Sequence, residues 1–152
     1  MLSSALAAAV AVGVAAAATP KPPVLSFLYS INITMSAPQD IGTTPTGSRG
    51  ILPIVGGKFS GPKLSGNVTT GLDWGLTDSK GTFSPQAVYV LETTDGARIM
   101  VTESGRVPNV NLQFDTGSAN YSWLNTAVAY ASGGPTAAGV SLTVWQITPP
   151  NA

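Results

Sequence analysis

Asp73 is the residue whose type and setting point most directly to chemistry. Charged residues make up only 9% of this 152-residue chain, so a charged side chain within strand-like sequence stands out. Asp73 lies between Leu72 and Trp74, and successive side chains of an extended strand point to opposite faces. If the Asp73 face lines a cavity, desolvation raises the pKa of the carboxyl group and suits it to general acid or base catalysis. The alternatives are a solvated aspartate at a strand edge and a turn cap.

Arg49 is the second charged residue of interest, because it precedes the apolar segment Ile51 to Val55. Its guanidinium group carries five donors in a fixed plane, and these suit planar oxygen groups. It could pair with Asp73, or it could bind an enolate, phenolate or carboxylate of a ligand. The alternative is an exposed loop arginine. Asp73 and Arg49 are therefore candidate catalytic residues, one to move a proton and the other to stabilise negative charge.

A further set of residues could contact a ligand. Tyr121, Trp123 and Asn125 combine aromatic surface with an amide that could orient a planar molecule. Core packing is the alternative for the aromatic side chains. Trp74 and Glu92 are further candidates for ligand contact, and a salt-bridged or rim position is the alternative for Glu92.

The residue types that the chain lacks exclude several kinds of chemistry. The sequence contains no His and no Cys, so a conventional zinc site, a Ser-His-Asp triad and a Cys nucleophile are excluded. It also has no G-x-x-x-x-G-K-[ST] loop, and its Gly pairs lie outside a strand-turn-helix context. We therefore expect no metal, nucleotide or flavin cofactor, and catalysis would depend on carboxylates, Lys, Arg, Tyr or hydroxyl groups.

Charge and the N-terminal segment indicate where the protein works. Seven basic residues balance seven acidic ones, and without a basic patch no nucleic-acid partner is expected. Residues 5–18 form an apolar stretch that ends in small residues and is short for a membrane span. We interpret residues 1–18 as a signal peptide, with an uncleaved anchor or an Ala-rich cytosolic tail as alternatives. Sequons at Asn32, Asn67 and Asn120 suit a secreted glycoprotein without stable membrane insertion.

The elements that must position these residues are strands. Leu25 to Met35 alternates apolar with mostly polar residues, the period-two pattern of a half-buried strand. Val140, Leu142 and Val144 repeat this pattern near the other end of the chain. Two such terminal strands can pair and close a barrel, which removes exposed edges. We predict an all-β fold, with residues 19–152 forming a single antiparallel β-barrel of a lipocalin-like or related closed type.

The middle of the chain predicts further strands separated by Gly, Pro and Asp-rich turns. Thr94 to Ala97 contains Asp-Gly between two β-rich runs, which favours a tight hairpin turn. Residues 36–45 indicate a turn-rich loop or an irregular edge strand, and residues 122–131 indicate a short helix or a strand. The predicted strands lie near residues 50–60, 63–70, 72–78, 82–93 and 97–104.

The order of three segments resembles the DUF 3237 family of small β-barrel proteins. These segments are Arg49 to Trp74, Tyr89 to Ile99 and Tyr121 to Asn125, and the resemblance extends over residues 25–147. It includes an Arg before a Pro-Ile segment, matched by Arg49, and a Gly-rich segment that ends in Asp-Trp, matched by Asp73. It also includes an aromatic residue before a Leu-Glu-Thr segment, which makes Tyr89 a third candidate catalytic residue, as a hydroxyl donor.

Two classes of function are compatible with these observations. One is a cofactor-independent tailoring enzyme, such as a cyclase, an intramolecular hydroalkoxylation enzyme, an isomerase or a dehydratase. It would act on a small aromatic or polyketide-type metabolite, with Asp73 moving a proton and Arg49 stabilising oxyanion charge. The alternative is a secreted lipocalin-like protein that binds a small apolar molecule without catalysis. The strand at 86–93 has apolar residues on both faces, so the face that points away from the core must also be buried. We therefore expect a homodimer or a packed helix.

Overall fold

The computed structural model describes residues 19–150, and the predicted signal peptide lies outside these residues. The described part contains ten strands and one 3₁₀ helix, Ala119–Thr126. The strands are β1 Val24–Met35, β2 Gln39–Thr44, β3 Gly47–Ser60, β4 Ser65–Thr77, β5 Phe83–Ser84, β6 Gln86–Thr93, β7 Arg98–Arg106, β8 Asn109–Asp115, β9 Val128–Thr136 and β10 Gly139–Thr148. Within residues 19–150, no helix is long and apolar enough to cross a membrane.

The strands form a closed antiparallel barrel, as the sequence predicts. They follow the order β2-β3-β1-β10-β9-β8-β7-β6-β4-β5, and an additional pairing of β3 with β4 closes the ring. Eight strands therefore make the barrel, because β2 pairs only with β3 and β5 pairs only with β4. The predicted pairing of the two terminal strands is confirmed, since β1 runs antiparallel to β10 from Val24 opposite Thr148 to Thr34 opposite Gly139.

Turn chemistry explains several element boundaries. The predicted hairpin at Thr94 to Ala97 is confirmed, with Gly96 at a φ of 84° and its N–H donating to the carbonyl of Thr93 at 2.9 Å. The predicted short helix at 122–131 was only partly right. The 3₁₀ helix ends at Thr126, and β9 begins at Val128. Residues 39–44 form the edge strand β2, one of the two alternatives for this segment.

Two strand predictions were wrong. The strands predicted near 63–70 and 72–78 are one continuous strand, β4, because Gly71 serves close packing and not a chain break. A Cβ atom on Gly71 would lie 2.5 Å from the Cβ of Tyr89 on the neighbouring strand. The strand predicted near 82–93 is divided into β5 and β6 at Pro85, which lacks an N–H for the ladder. Strand β8 was not predicted.

The barrel interior is filled at one end and hollow at the other. The 3₁₀ helix lies between β8 and β9 at the filled end, where Leu124 is fully buried in the core. The opposite end, where β1, β4 and β7 finish, contains the cavity described below. On the outer surface, Leu72, Trp74 and Val88 remain exposed in the single chain, and the homodimer stays a prediction.

Candidate active site

The hollow end of the barrel holds a cavity of about 480 Å³ that is lined mainly by apolar side chains. Four prolines contribute to the lining, and a proline ring offers no backbone N–H to a ligand. Of the lining residues within the described chain, only Asp73 and Glu103 are ionisable. The lining also includes Ile33, Met35, Pro38, Leu52, Ile54, Phe83, Pro85, Ala87, Val107, Pro108, Pro135, Val140 and Leu142.

The two carboxyl groups belong to one row across the sheet. Asp73 on β4 lies opposite Ala87 on β6, and Ala87 lies opposite Glu103 on β7. Neighbouring strands are about 5 Å apart, so the backbones of Asp73 and Glu103 are roughly 10 Å apart. The residue between them contributes only a methyl group. The two longer side chains can therefore approach each other above Ala87 at one level of the cavity.

Asp73 is buried because the strand pleat directs it into the barrel, whereas both of its apolar neighbours point outward. The side chain of Asp73 is 3% exposed, and those of Leu72 and Trp74 are 37% and 45% exposed. Burial raises the pKa of Asp73, and the backbone N–H of Gln86, which donates to Oδ1 at 2.9 Å, lowers it. This hydrogen bond favours the ionised carboxylate.

Glu103 is the more strongly perturbed acid. It is 6% exposed, and burial, reinforced by the charge of Asp73, raises its pKa from 4.5 to about 7. The hydroxyl of Tyr89 donates to Oε2 at 3.3 Å and lowers the pKa of Glu103 by a smaller amount. Near neutral pH, Glu103 therefore retains part of its proton. The hydrogen bond from Gln86 favours the ionised form of Asp73, so the two carboxyl groups can serve as one acid and one base in the same cavity.

Glu103 was missed by the sequence analysis, although a signal for it was present. Ile99 and Val101 precede it on β7 with a spacing of two, and both are fully buried. The same alternation directs Glu103 inward. The apolar residues Ile99 and Val101 made the strand recognisable. Only the closed barrel shows that Glu103 shares a cavity with the Asp73 carboxylate.

Tyr89 lies behind the cavity and not in its lining. Its side chain is 1% exposed, and burial is the main reason that its pKa is raised. Because its hydroxyl donates to Glu103, Tyr89 can act on a substrate only through that carboxyl group. Gly71, opposite Tyr89 on β4, provides the space that the tyrosine ring needs.

Arg49 is on the outside of the barrel. Leu52 on the same strand lines the cavity, and Arg49 has the opposite position in the pleat. Its Nη1 donates to the backbone carbonyl of Trp74 at 3.0 Å and to Oε1 of Gln86 at 3.4 Å. Arg49 thus connects β4 and β6 at the level of Asp73, a geometry that suits a positioning role more than oxyanion binding.

Trp74 and Glu92 also lie on the outer surface. Trp74 is 45% exposed. Glu92 forms an exposed ion pair with Arg98, with Nε and Oε2 3.3 Å apart, as in the salt-bridged alternative for this residue. The pleat explains both positions, because Asp73 and Tyr89 occupy the inward faces of the same two strands.

The three ligand-contact candidates from the later segment surround the filled end of the barrel. The hydroxyl of Tyr121 donates to Oδ1 of Asp95 at 3.0 Å. The side chain of Asn125 accepts from the N–H of Thr116 at 2.8 Å and donates to its carbonyl at 3.0 Å. Trp123 packs against the core. None of the three candidates is among the residues that line the cavity, because the 3₁₀ helix covers the opposite end.

Within residues 19–150, no three His, Cys, Asp or Glu side chains cluster as a metal site would require.

Comparison with known proteins adds to this geometry. A hydroalkoxylation enzyme of Penicillium herquei, phnH, is 35% identical to this chain over 113 residues, covering 74% of this chain and 76% of that protein. The crystal structure of an enzyme from Penicillium herquei superposes with a TM-score of 0.79 at 34% identity, covering 87% of this chain and 99% of that one. A β-barrel-like protein from Acinetobacter baumannii superposes with a TM-score of 0.81 at 30% identity, covering 86% and 99% of the two chains.

Part of the chain also matches a described protein family. Residues 23–109, more than half of the chain, match the family described as "Protein of unknown function (DUF3237)". This segment contains Asp73, Tyr89 and Glu103, so the carboxyl pair lies within the matched region. The chain therefore belongs to the DUF3237 family.

Proposed function

We propose that this protein is a cofactor-independent tailoring enzyme that catalyses intramolecular hydroalkoxylation of a small aromatic metabolite. The observation that carries the proposal is the pairing of Asp73 with Glu103, whose pKa is raised to about 7, inside an apolar cavity. The similarity to a hydroalkoxylation enzyme supports this reaction among those that an acid and a base can perform. The substrate class would be a phenol that carries an alkenyl side chain.

The reaction adds an O–H bond across a C=C bond, and both carboxyl groups have a part in it. The carboxylic acid of Glu103 gives its proton to one alkene carbon, whose new C–H bond uses the π electron pair. The phenol oxygen attacks the neighbouring, electron-poor carbon and forms the C–O bond. The phenolic proton passes to Asp73. The product is an isomer of the substrate, and transfer of one proton from Asp73 to Glu103 restores the starting state.

The assignment of acid and base follows from their surroundings. Glu103 has the larger upward shift in pKa, and within residues 19–150 its only hydrogen-bond donor is the hydroxyl of Tyr89 at 3.3 Å. Asp73 accepts a 2.9 Å hydrogen bond from the N–H of Gln86, which favours its ionised form. Two carboxyl groups whose environments separate their pKa values are the usual arrangement for paired acid and base catalysis.

The cavity lining suits an uncharged substrate. No Lys or Arg is among the lining residues of the described chain, so a phenolate would enter without a compensating charge. A neutral phenol avoids the free-energy cost of burying an unpaired charge. Apolar walls also exclude water, which would otherwise capture a positively charged intermediate. The carboxylates supply the negative charge that stabilises this intermediate as it forms.

The proposal can be tested with phenols that carry an alkenyl group ortho to the hydroxyl. We expect conversion to a cyclic ether of identical mass, and in D₂O the product should contain one deuterium on carbon. Glu103→Gln and Asp73→Asn should each reduce turnover by roughly 10²-fold or more. Glu92→Gln, which changes an exposed carboxylate on the outer surface, is the matched control.

Binding without conversion would contradict the proposal. If the wild-type protein binds these phenols with micromolar affinity and leaves them unchanged at all accessible pH values, the lipocalin-like binding function is the better description. Conversion that is unaffected by both Glu103→Gln and Asp73→Asn would instead show that the chemistry lies elsewhere.

A further inference from the structure

Tyr29 carries a buried hydroxyl group that the fold leaves unsatisfied. The side chain, on β1, is completely buried in the barrel. Within the described chain, its hydroxyl oxygen has no hydrogen-bond partner. Buried hydroxyl groups are nearly always paired, because an unpaired group loses its bonds to water without replacement. A phenylalanine would fill the same core position without this cost.

The surroundings of Tyr29 indicate what the hydroxyl is for. Its ring lies edge-on to Phe59, with centroids 5.5 Å apart, and this packing fixes the direction of the hydroxyl. Glu103 raises the pKa of Tyr29 electrostatically, and the nearby hydroxyl of Tyr89 lowers it, although burial has the largest effect. Tyr29 is therefore close enough to interact with Glu103, and it is not among the residues that line the cavity.

We propose that Tyr29 is a positioning residue whose hydroxyl, together with that of Tyr89, stabilises the carboxylate that Glu103 forms when it releases its proton. This inference rests on the role proposed above for Glu103. In the structure, Tyr89 provides a long hydrogen bond of 3.3 Å and Tyr29 provides none. When Glu103 becomes anionic, both hydroxyls can turn towards it, since hydrogen bonds to a charged acceptor are shorter and stronger.

Glu103 needs such donors because few other groups can stabilise its charge. Apart from Tyr29, the titratable groups that affect Glu103 are Asp73, which is acidic, and Tyr89, and no Lys or Arg lines the cavity in the described chain. An interaction that is absent in the ground state and present after proton transfer lowers the barrier, because only such differences accelerate a reaction. The unpaired hydroxyl of Tyr29 would then destabilise the resting state, and this free energy would be regained when Glu103 becomes anionic during turnover.

Tyr29→Phe separates this role from simple packing. We expect its thermal midpoint to equal or exceed that of the wild type, because the change removes a buried unpaired hydroxyl. The apparent pKa of Glu103, followed by carboxyl ¹³C NMR without substrate, should rise by about one unit. Turnover should fall by roughly tenfold or more, since a donor to a charged group is lost. Tyr130→Phe, which removes a hydroxyl bonded to Asn109 at 2.7 Å, is the matched control.

One outcome would overturn the inference. It is an unchanged titration of Glu103 in Tyr29→Phe, whether or not the substitution destabilises the barrel. If Tyr29→Phe does not fold, site-specific 3-fluorotyrosine at position 29 keeps the ring and strengthens the donor, so the pKa of Glu103 should fall. An unchanged pKa would refute the proposal. A shifted pKa in a protein that converts no alkenyl phenol would support Tyr29 and reject hydroalkoxylation.

Discussion

Asp73 and Glu103 face one cavity from two strands that are separated by a single strand, and the intervening residue in their row is Ala87. The arrangement depends on a side chain small enough to leave the space between the carboxyl groups open. A substrate that receives a proton from one carboxyl and returns a proton to the other must occupy this space. Ala87 therefore sets how closely a reacting group can approach both residues.

Ala87→Leu tests this relationship. The larger side chain should occupy the space between Asp73 and Glu103 and abolish most turnover, at a cost of about 1 to 3 kcal/mol in stability from overpacking. Substrate titration and steady-state kinetics would measure the loss. Val88→Leu enlarges the adjacent residue on the outer face, where it is 40% exposed, and should retain activity. Full activity of Ala87→Leu would mean that the reaction takes place elsewhere in the cavity.

Glu103 should make the stability of the barrel depend on pH. Its pKa is raised from 4.5 to about 7, so the folded protein retains a proton that the unfolded chain releases between these values. The resulting stabilisation is complete below pH 4.5 and is lost as the pH rises through about 7. From about pH 4.5 to about pH 8, the wild type should lose up to about 3 kcal/mol more unfolding free energy than Glu103→Gln. Urea denaturation across this range measures the difference, and parallel curves for the two proteins would contradict it.

Asp73→Asn should affect both catalysis and the titration of its partner. The amide cannot accept the phenolic proton, so turnover should decrease by roughly 10²-fold or more. Removal of the negative charge should also lower the pKa of Glu103, because the charge of Asp73 contributes to raising it. The free energy of unfolding should change by no more than about 2 kcal/mol, since the substitution is isosteric. Asp115→Asn, at an exposed position on β8, is the control, and an unfolded Asp73→Asn protein would indicate a structural carboxylate.

Arg49→Lys distinguishes a positioning role from direct ligand binding. Lysine retains the charge, but its side chain is one atom shorter than the reach to Nη1, the atom from which Arg49 donates to both the Trp74 carbonyl and Gln86, and it lacks the fixed guanidinium plane. If Arg49 positions the strands around Asp73, kcat should fall by about 3-fold to 10-fold with KM unchanged. Arg98→Lys, in an exposed ion pair, should leave both constants unchanged. An increase in KM at constant kcat would instead support the direct contact between Arg49 and a ligand that the sequence suggested.

Secretion is a separate prediction. Asn32, Asn67 and Asn120 are all exposed, so the fold would allow a glycan at each sequon. When the full chain is expressed in a eukaryotic secretory host, the mature protein should begin near Thr19 and carry at least one glycan. Intact mass before and after glycosidase treatment measures both features. Recovery of unglycosylated protein that retains residues 1–18 would contradict the secretory interpretation.

Local pattern was sufficient to predict much of the barrel. The alternation in β1 and β10 indicated two half-buried strands that could pair, and their pairing in the barrel is confirmed. The Asp95-Gly96 turn was recognisable because its backbone conformation depends on neighbouring residues alone. Gly71 could not be interpreted in the same way. Its role depends on Tyr89, a residue that is distant in sequence and adjacent in the sheet.

The same distinction applies to the candidate site. The sequence alone drew attention to Asp73, because a carboxylate between two apolar residues is unusual and the pleat turns it away from both of them. Alternation could not tell which face of a strand is inside, and it therefore left Arg49, Trp74 and Glu92 as candidates. Barrel closure resolves this, since it buries Asp73 and Glu103 together and leaves those three residues outside. The raised pKa of Glu103 has the same origin, because burial and the charge of Asp73 come from strands that only the fold brings together.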